Sequence, residues 1–484
     1  MTGATATSVP AAGPRRADAA PVPAPGGLPA WLVVLWGAAL AATLAFAAVG
    51  GVHHAAVGAA AGGAFLSLGV CTVALAAPSD RAFVTRLFVG GFLARYVAAL
   101  FITGALIVAD LPGLEGGKDY VHWEASGWAV AEAWRSGTPV VGLIDRDSGY
   151  SYLVGAVYWA TGRVAVAPLL LNALFGAGAA VVAFFLALQA YDRRRAAVAG
   201  YLAAFLPTLL VWSGMVYKDV VLSFFVAACA AGAIALSRRV SPRSVCALGA
   251  SLVPLFMIRP DTGVTVMGSA ALLVGLTGRR RGSKLAALAV AGGLLLLFLV
   301  VLQGAGLAGK ADLLARFPNP FTSVAVARET WANEAGAGAS GFTRYLYGKN
   351  LLMAPHLLLP AMALPFVLPL PGTTGSTMSM GTFLMPGQIL WLLLLPALAC
   401  GMIGAVRERV AARVFLAGLV LAMVLGVALA GYFSSPRYLV QGIPLMLVLC
   451  AAGIGSLRRH PQLYVSTLLC AVVVFCLYGL ARGA

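Results

Sequence analysis

Long uninterrupted runs of apolar residues constrain this chain more than any other feature. A helix that crosses a bilayer needs about 20 apolar residues. Runs of about that length lie at 30–50, 56–77, 87–109, 164–190, 196–214, 219–237, 244–258, 263–278, 285–307, 387–405, 413–432, 438–457 and 463–481. They predict an all-α, polytopic bundle of about 13 transmembrane helices. The short runs 244–258 and 263–278 are expected to be tilted, or joined by a break at Arg259-Pro260.

The composition excludes the main alternatives to a membrane protein. Only 10% of the 484 residues are charged and 61% are hydrophobic, whereas soluble globular proteins carry roughly 25% charged residues. A soluble enzyme is therefore excluded, and so is an intrinsically disordered chain, which needs low hydrophobicity. The seven cysteines lie in apolar stretches without a CxxC motif, so neither a disulfide framework nor a zinc site is predicted.

The chain divides into a short tail and one membrane domain. Residues 1–28 are rich in Ala and Pro and cannot bury a core, so we predict a disordered cytoplasmic tail. The predicted transmembrane domain, 29–484, contains two long loops, 110–163 and 308–386. A Pro-rich apolar stretch in the second loop, 351–370, is interpreted as re-entrant or interfacial because prolines interrupt straight helices.

The net charge of +17 separates across the predicted membrane. With the amino terminus in the cytoplasm, 19 of the 33 Lys and Arg residues fall on cytoplasmic segments, and 12 of the 16 Asp and Glu residues fall outside. This distribution follows the positive-inside rule, so topology explains the basic charge and no nucleic-acid partner is predicted. Both long loops then lie on the outer side of the cell membrane. Since long loops are usually functional, the active face is predicted to be extracytoplasmic.

The first outer loop contains an amphipathic helical pattern that begins at Tyr120. Its tryptophans, Trp123, Trp128 and Trp134, suit a helix that lies at the membrane interface. Asp119 stands at the predicted start of this helix. Because aspartate is also a favoured helix N-cap, a purely structural role for Asp119 is the alternative to a chemical one.

Asp119 followed by Tyr120 and His122, at the head of a helix in the first large outer loop, resembles the GT-C superfamily of membrane glycosyltransferases. The likeness is to a bacterial branch with protein O-mannosyltransferase-like members, and it extends from about residue 87 to about residue 460. Further segments share the likeness: Gly149 to Gly155, Tyr158 to Gly162, Asn172, Trp212 to Asp219, and Pro436-Arg437-Tyr438 with Pro444.

The resemblance implies transfer of a sugar from a polyprenyl-phosphate-linked donor to a lipid, glycan or protein acceptor, in contact with membrane lipids. In that superfamily an acidic residue of the first outer loop acts as general base or helps to hold a divalent cation, and transfer inverts the anomeric centre. Asp119 matches this position and is the predicted catalytic base. The superfamily often has two adjacent acidic residues, whereas here Lys118 precedes Asp119 and the next carboxylate is Glu124. A single carboxylate is a poor cation site, so no metal ligand is assigned and a divalent cation stays open.

Cations at predicted outer helix ends are candidates for binding the lipid phosphate. Lys218 and Arg259 are each followed closely by an aspartate, and Arg437 precedes a tyrosine. The three cations could converge on one phosphate, or each could simply reach toward the membrane surface. The predicted substrate-binding residues are Tyr120, His122, Glu124, Lys218, Asp219, Arg259, Asp261, Arg437 and Tyr438.

Two other functions remain as alternatives. A transporter or lipid flippase usually carries ionisable residues near the bilayer midplane and often contains inverted repeats. Here Arg95, about eight residues into the third span, is nearly the only mid-span charge, and we interpret it as structural. A polymerase or ligase of lipid-linked glycans would use the same outer site as a glycosyltransferase.

Overall fold

The structure, a computed structural model, describes residues 29–76, 79–110, 118–140, 149–277, 362, 366, 380–429, 437–457, 461–462, 464–466 and 469. Helices are the only regular secondary structure in these residues. Several predictions fall outside them: the tail 1–28, the span 285–307, and most of the loop 308–386, the stretch 351–370 and the span 463–481.

Fifteen helices make up the described part of the chain. They are α1 (Ala30–Gly50), α2 (Val52–Ala76), α3 (Arg81–Val108), α4 (Lys118–Ser136), α5 (Gly149–Thr161), α6 (Val166–Ala190), α7 (Arg193–Phe205), α8 (Pro207–Ser213), α9 (Asp219–Arg238), α10 (Pro242–Ile258), α11 (Pro260–Thr277), α12 (Met380–Glu408), α13 (Ala411–Leu429), α14 (Arg437–Val440) and α15 (Ile443–Leu457).

Seven of the described helices are long and apolar enough to cross a membrane: α1, α2, α3, α6, α9, α12 and α13. An eighth span results if the bent pair α7 and α8 counts as one, and α10, α11 and α15 are apolar but shorter. The predicted all-α bundle is confirmed, and the chain is a multi-pass membrane protein. The predicted total of about 13 spans also depends on segments outside the described residues.

Two predicted spans are interrupted by prolines. The segment 196–214 divides into α7 and α8, which are bent by 46° at Leu206. Pro207 has no N–H to donate to the carbonyl of Ala203, so the helix cannot continue unbroken there. The break expected at Arg259-Pro260 is present, since α10 ends at Ile258 and α11 begins at Pro260.

Arg95 stabilises the interruption between α7 and α8. It is fully buried, and its guanidinium donates to the carbonyls of Ala204 at 2.7 Å and Ala203 at 2.8 Å and to Ser213 Oγ at 3.2 Å. These bonds supply donors where the helical ladder is broken. Gly176 leaves room for the guanidinium, because a Cβ atom there would lie 2.3 Å from Arg95 Nε. These contacts agree with the structural role expected for Arg95.

The central helix of the described bundle is α6, which packs against α2, α3, α7 and α9. Helix α4 packs on α5, and α5 in turn contacts α6 and α10. Predicted cytoplasmic residues pair with one another at one end of the bundle, Asp80 with Arg193 and Glu408 with Arg413. Predicted outer residues therefore meet at the other end, where α4, α9, α11 and α14 begin.

Candidate functional site

Arg437 lies at the centre of a cluster of charged side chains. Its Nε donates to Asp219 Oδ2 at 2.8 Å, and its Nη1 donates to Asp119 Oδ2. Asp219 is fully buried, the Arg437 side chain is 13% exposed and the Asp119 side chain is 45% exposed. Since Asp119 and Arg437 are 318 positions apart, the cluster joins the start of α4 to the carboxyl-terminal part of the bundle.

Arg259 extends this cluster from the break between α10 and α11. Its Nη1 lies 3.9 Å from Asp219 Oδ1, and its Nε donates to Asp261 Oδ2 at 3.3 Å. Within the described part of the chain, neither Arg259 Nη1 nor Asp219 Oδ1 has a hydrogen-bond partner. The guanidinium also lies over the ring of Tyr438, 4.8 Å from its centroid, in a cation–π contact. Arg259 therefore faces Asp219 with one nitrogen, Nη1, that makes no hydrogen bond to the described residues.

Helix starts bring the two central carboxylates to Arg437. Asp219 lies in the first turn of α9 and Asp119 in the first turn of α4. A negative charge there interacts favourably with the helix dipole. The structure also gives the Asp119 carboxylate a distant partner, Arg437, which an N-cap role would not require.

Aromatic rings surround the cations of the site. The Arg437 guanidinium lies 4.9 Å from the ring centroid of Tyr217 and 5.8 Å from that of Tyr438. Lys218 Nζ lies 4.7 Å from the ring centroid of Trp123. Such rings exclude water from the charges, and electrostatic interactions are stronger where water is excluded.

Other predicted residues of α4 lie apart from the charges on Arg437. Both carboxylate oxygens of Glu124 accept hydrogen bonds from Arg163 at 3.0 Å, and the Tyr158 hydroxyl donates to Oε1 at 3.2 Å. Tyr120 is buried, and burial together with the charge of Glu124 raises the pKa of its phenol to about 12. His122 is exposed on the same helix. Among the described residues, Glu124 thus links α4 to α5 and Arg163.

Sequence reasoning did not assign two residues that shape this site. Tyr217 lies under Arg437, and Asn172 is fully buried in α6 and donates to the backbone just before Lys218. A signal for Asn172 existed, because a polar side chain inside an apolar span is costly and often has a role. The signals for Tyr217 were its position beside a predicted cation and its place in the segment Trp212 to Asp219.

A cleft of about 140 Å³ opens beside Arg259. Its polar wall includes a hydrogen bond from Thr262 Oγ1 to Gln441 Oε1 at 2.9 Å. The remaining residues of its lining are Asp261, Thr265, Tyr438 and, on the apolar face of α13, Ala422, Met423, Gly426 and Val427. A cleft lined by charged residues on one side and apolar residues of α13 on the other suits an amphipathic ligand.

The carboxylates of the site do not fit a divalent cation in this arrangement. Asp119 and Asp219 both bond to the Arg437 guanidinium, so their facing oxygens are already engaged. Oxygen-binding cations such as Ca²⁺ take about six to eight oxygen ligands. No group of three or more His, Cys, Asp or Glu side chains that could hold a metal ion occurs in the part of the chain the structure describes. The guanidinium itself carries the positive charge between the carboxylates.

Comparison with known proteins finds a weak likeness to solved structures. No protein-family model matches the chain, and no curated protein matches its sequence. The oligosaccharyltransferase of Archaeoglobus fulgidus, in a complex with Zn and sulfate, aligns with 69% of this chain at 16% identity and a TM-score of 0.40. AglB from the same organism, with an inhibitory peptide and a dolichol-phosphate, aligns with 69% at 14% identity and a TM-score of 0.39. The alignments cover 44% and 47% of those chains, so this chain spans less than half of their length.

Proposed function

We propose that the protein is an integral-membrane glycosyltransferase of GT-C type that moves a sugar from a polyprenyl phosphate to an extracytoplasmic acceptor. The observation that carries the proposal is the position of Arg437, bonded to Asp119 and Asp219, with Arg259 3.9 Å from Asp219. This arrangement supports the proposal because it brings cations for a phosphate leaving group next to a half-exposed carboxylate.

Each charged group has a defined part in the proposed transfer. The acceptor hydroxyl oxygen attacks the anomeric carbon, the bond between that carbon and the phosphate oxygen breaks, and the lipid phosphate leaves with the electron pair. Arg437 and Arg259 stabilise the growing negative charge, while Asp119 takes the hydroxyl proton. The buried Asp219 holds the Arg437 guanidinium in place. No covalent enzyme intermediate is required.

The cleft beside Arg259 supports a lipid-linked donor. A phosphate in this cleft would lie near Arg259, whose Nη1 makes no hydrogen bond to the described residues, and an isoprenoid chain could follow the apolar residues of α13. The acceptor, whether lipid, glycan or protein, would reach Asp119 from the outer face. That this face is extracytoplasmic rests on the distribution of Lys and Arg along the sequence.

The proposal is tested by release of polyprenyl phosphate from a labelled donor. Purified protein in liposomes is incubated with polyprenyl-phosphate hexoses and pentoses, together with extracted envelope lipids and glycans as acceptors. Release that requires both Asp119 and Arg437 supports the proposal. Failure of the wild-type protein to release polyprenyl phosphate from any of these donors contradicts it. Movement of intact donor between leaflets, without cleavage, would support a flippase instead.

A further inference from the structure

Asn172 is a buried polar side chain whose hydrogen-bonding groups are all engaged. It lies in α6 with no exposed surface. Its Nδ2 donates to the carbonyls of Met215 at 2.7 Å and Tyr217 at 3.1 Å, and its Oδ1 accepts from the Tyr150 hydroxyl at 3.1 Å. An unpaired amide in an apolar interior is destabilising, because it loses its hydrogen bonds to water without replacing them. The side chain is therefore tied to two separate parts of the structure.

The first part is the turn between α8 and α9. Residues 214–218 leave the helical ladder, and the Tyr217 N–H bonds to the Met215 carbonyl at 2.8 Å. Buried carbonyls outside a helix need partners from elsewhere, and Asn172 donates to two of them in this turn. The turn contains Tyr217, whose ring contacts the Arg437 guanidinium, and it ends just before Asp219.

The second part is the pair of helices α4 and α5. The rings of Tyr150, in α5, and Trp123 make a T-shaped contact with centroids 5.9 Å apart, and Trp123 in turn contacts Lys218 Nζ. Trp123 lies one turn along α4 from Asp119. Asn172 thus stands between the helix that carries Asp119 and the turn that carries Asp219, although it touches neither carboxylate.

We propose that Asn172 is a positioning residue that keeps Asp119 and Asp219 aligned on Arg437. Through Tyr150 it sets the placement of α4, and through the carbonyls of Met215 and Tyr217 it sets the start of α9. The inference rests on the proposed function where phosphate binding is concerned. Its structural part, the coupling of α4 to the turn before α9, stands independently of that function.

Backbone hydrogen exchange tests the coupling without any ligand. Asn172→Leu should speed exchange about tenfold or more at the amides of Tyr217 and Asp219 and also in α4 around Trp123, because three hydrogen bonds are lost, two to the turn and one to Tyr150. Ser251→Ala is the control, since it also removes a buried polar atom with a hydrogen bond, here to the Ala247 carbonyl in α10. Faster exchange in the turn with unchanged exchange in α4 would overturn the proposal.

Binding of undecaprenyl phosphate in detergent micelles tests the consequence. Asn172→Leu should weaken binding about tenfold, because a displaced Asp219 no longer holds the Arg437 guanidinium in place. Tyr150→Phe, which loses one hydrogen bond, should weaken binding about threefold. In an Arg437→Gln background Asn172→Leu should have no further effect, because the guanidinium on which the two carboxylates are aligned is gone. Equal losses in both backgrounds would mean a general structural role and overturn the proposal. If the wild-type protein does not bind undecaprenyl phosphate, the proposed function fails, and the exchange measurement alone decides the role of Asn172.

Discussion

Replacing Asp119 by Asn separates two roles that this side chain combines. Its carboxylate is the proposed base, yet without substrate it bonds to Arg437, the proposed phosphate ligand. The donor phosphate must therefore compete with Asp119 for the guanidinium. Once the phosphate is bound, the displaced carboxylate is free to meet the acceptor hydroxyl. Asparagine keeps the shape but removes the charge and the basicity.

The two roles predict changes of opposite direction. Loss of a general base lowers the rate of transfer by about 10²–10⁴-fold. Loss of the charge weakens a bond to Arg437 that is half-exposed at Asp119, a contact of roughly 1 kcal/mol. Because 1.36 kcal/mol corresponds to a tenfold change, the affinity for polyprenyl phosphate should rise about fivefold. Asp119→Asn is thus expected to bind the lipid phosphate more tightly while transferring almost no sugar.

The assay pairs equilibrium binding of undecaprenyl phosphate with single-turnover release from a labelled donor. Asp110→Asn is the matched control, since it removes the same charge at the start of the same loop. Its backbone φ of 51° also suits asparagine. The control should behave as the wild type in both assays. Transfer by Asp119→Asn above a tenth of the wild-type rate, or weaker phosphate binding, would refute the reasoning.

Three further changes test other parts of the structure. Arg437→Lys keeps the charge but cannot bond both carboxylates through a planar fork, so undecaprenyl phosphate binding should weaken about tenfold; unchanged affinity would contradict the proposed phosphate site. Tyr120 has a pKa of about 12 when folded against 10.0 as its ordinary value, so the unfolded state releases the proton first and stability should fall between about pH 10 and 12. Tyr120→Phe should flatten that fall in a thermal unfolding series, and identical profiles would argue against the burial of the phenol. Gly176→Ala crowds Arg95 and should lower the free energy of unfolding by about 1–3 kcal/mol, whereas Gly418→Ala, with open space at its Cβ position, should not.

The sequence predicted which charged residues lie at helix ends, but it did not predict which of them contact one another. That Lys218, Arg259 and Arg437 share a phosphate stays a prediction. Arg259 and Arg437 both approach Asp219, while Lys218 lies over Trp123. The sequence offered no means of choosing among them, because each is a cation at an apolar helix end.

The contacts of Glu124 also could not be predicted from the sequence. Its place close to Asp119 in the chain favoured a contact with substrate, but in the structure it pairs with Arg163 and accepts from Tyr158. On α4 the two carboxylates are five positions apart, and that spacing turns them toward different neighbours. Which neighbours those are depends on how α4 packs against α5.

The sequence by itself determined the class of this protein: an all-α, multi-pass membrane bundle whose charged residues gather at helix ends. It could do so because apolar length and charge are local properties, and a bilayer accepts only segments that satisfy their own backbone hydrogen bonds. Only the tertiary structure decided that Asp119, Asp219, Arg259 and Arg437 form one cluster and that Arg95 supports the break at Leu206. Those contacts join positions up to 318 residues apart, and they arise from the packing of helices against one another, which no local pattern records.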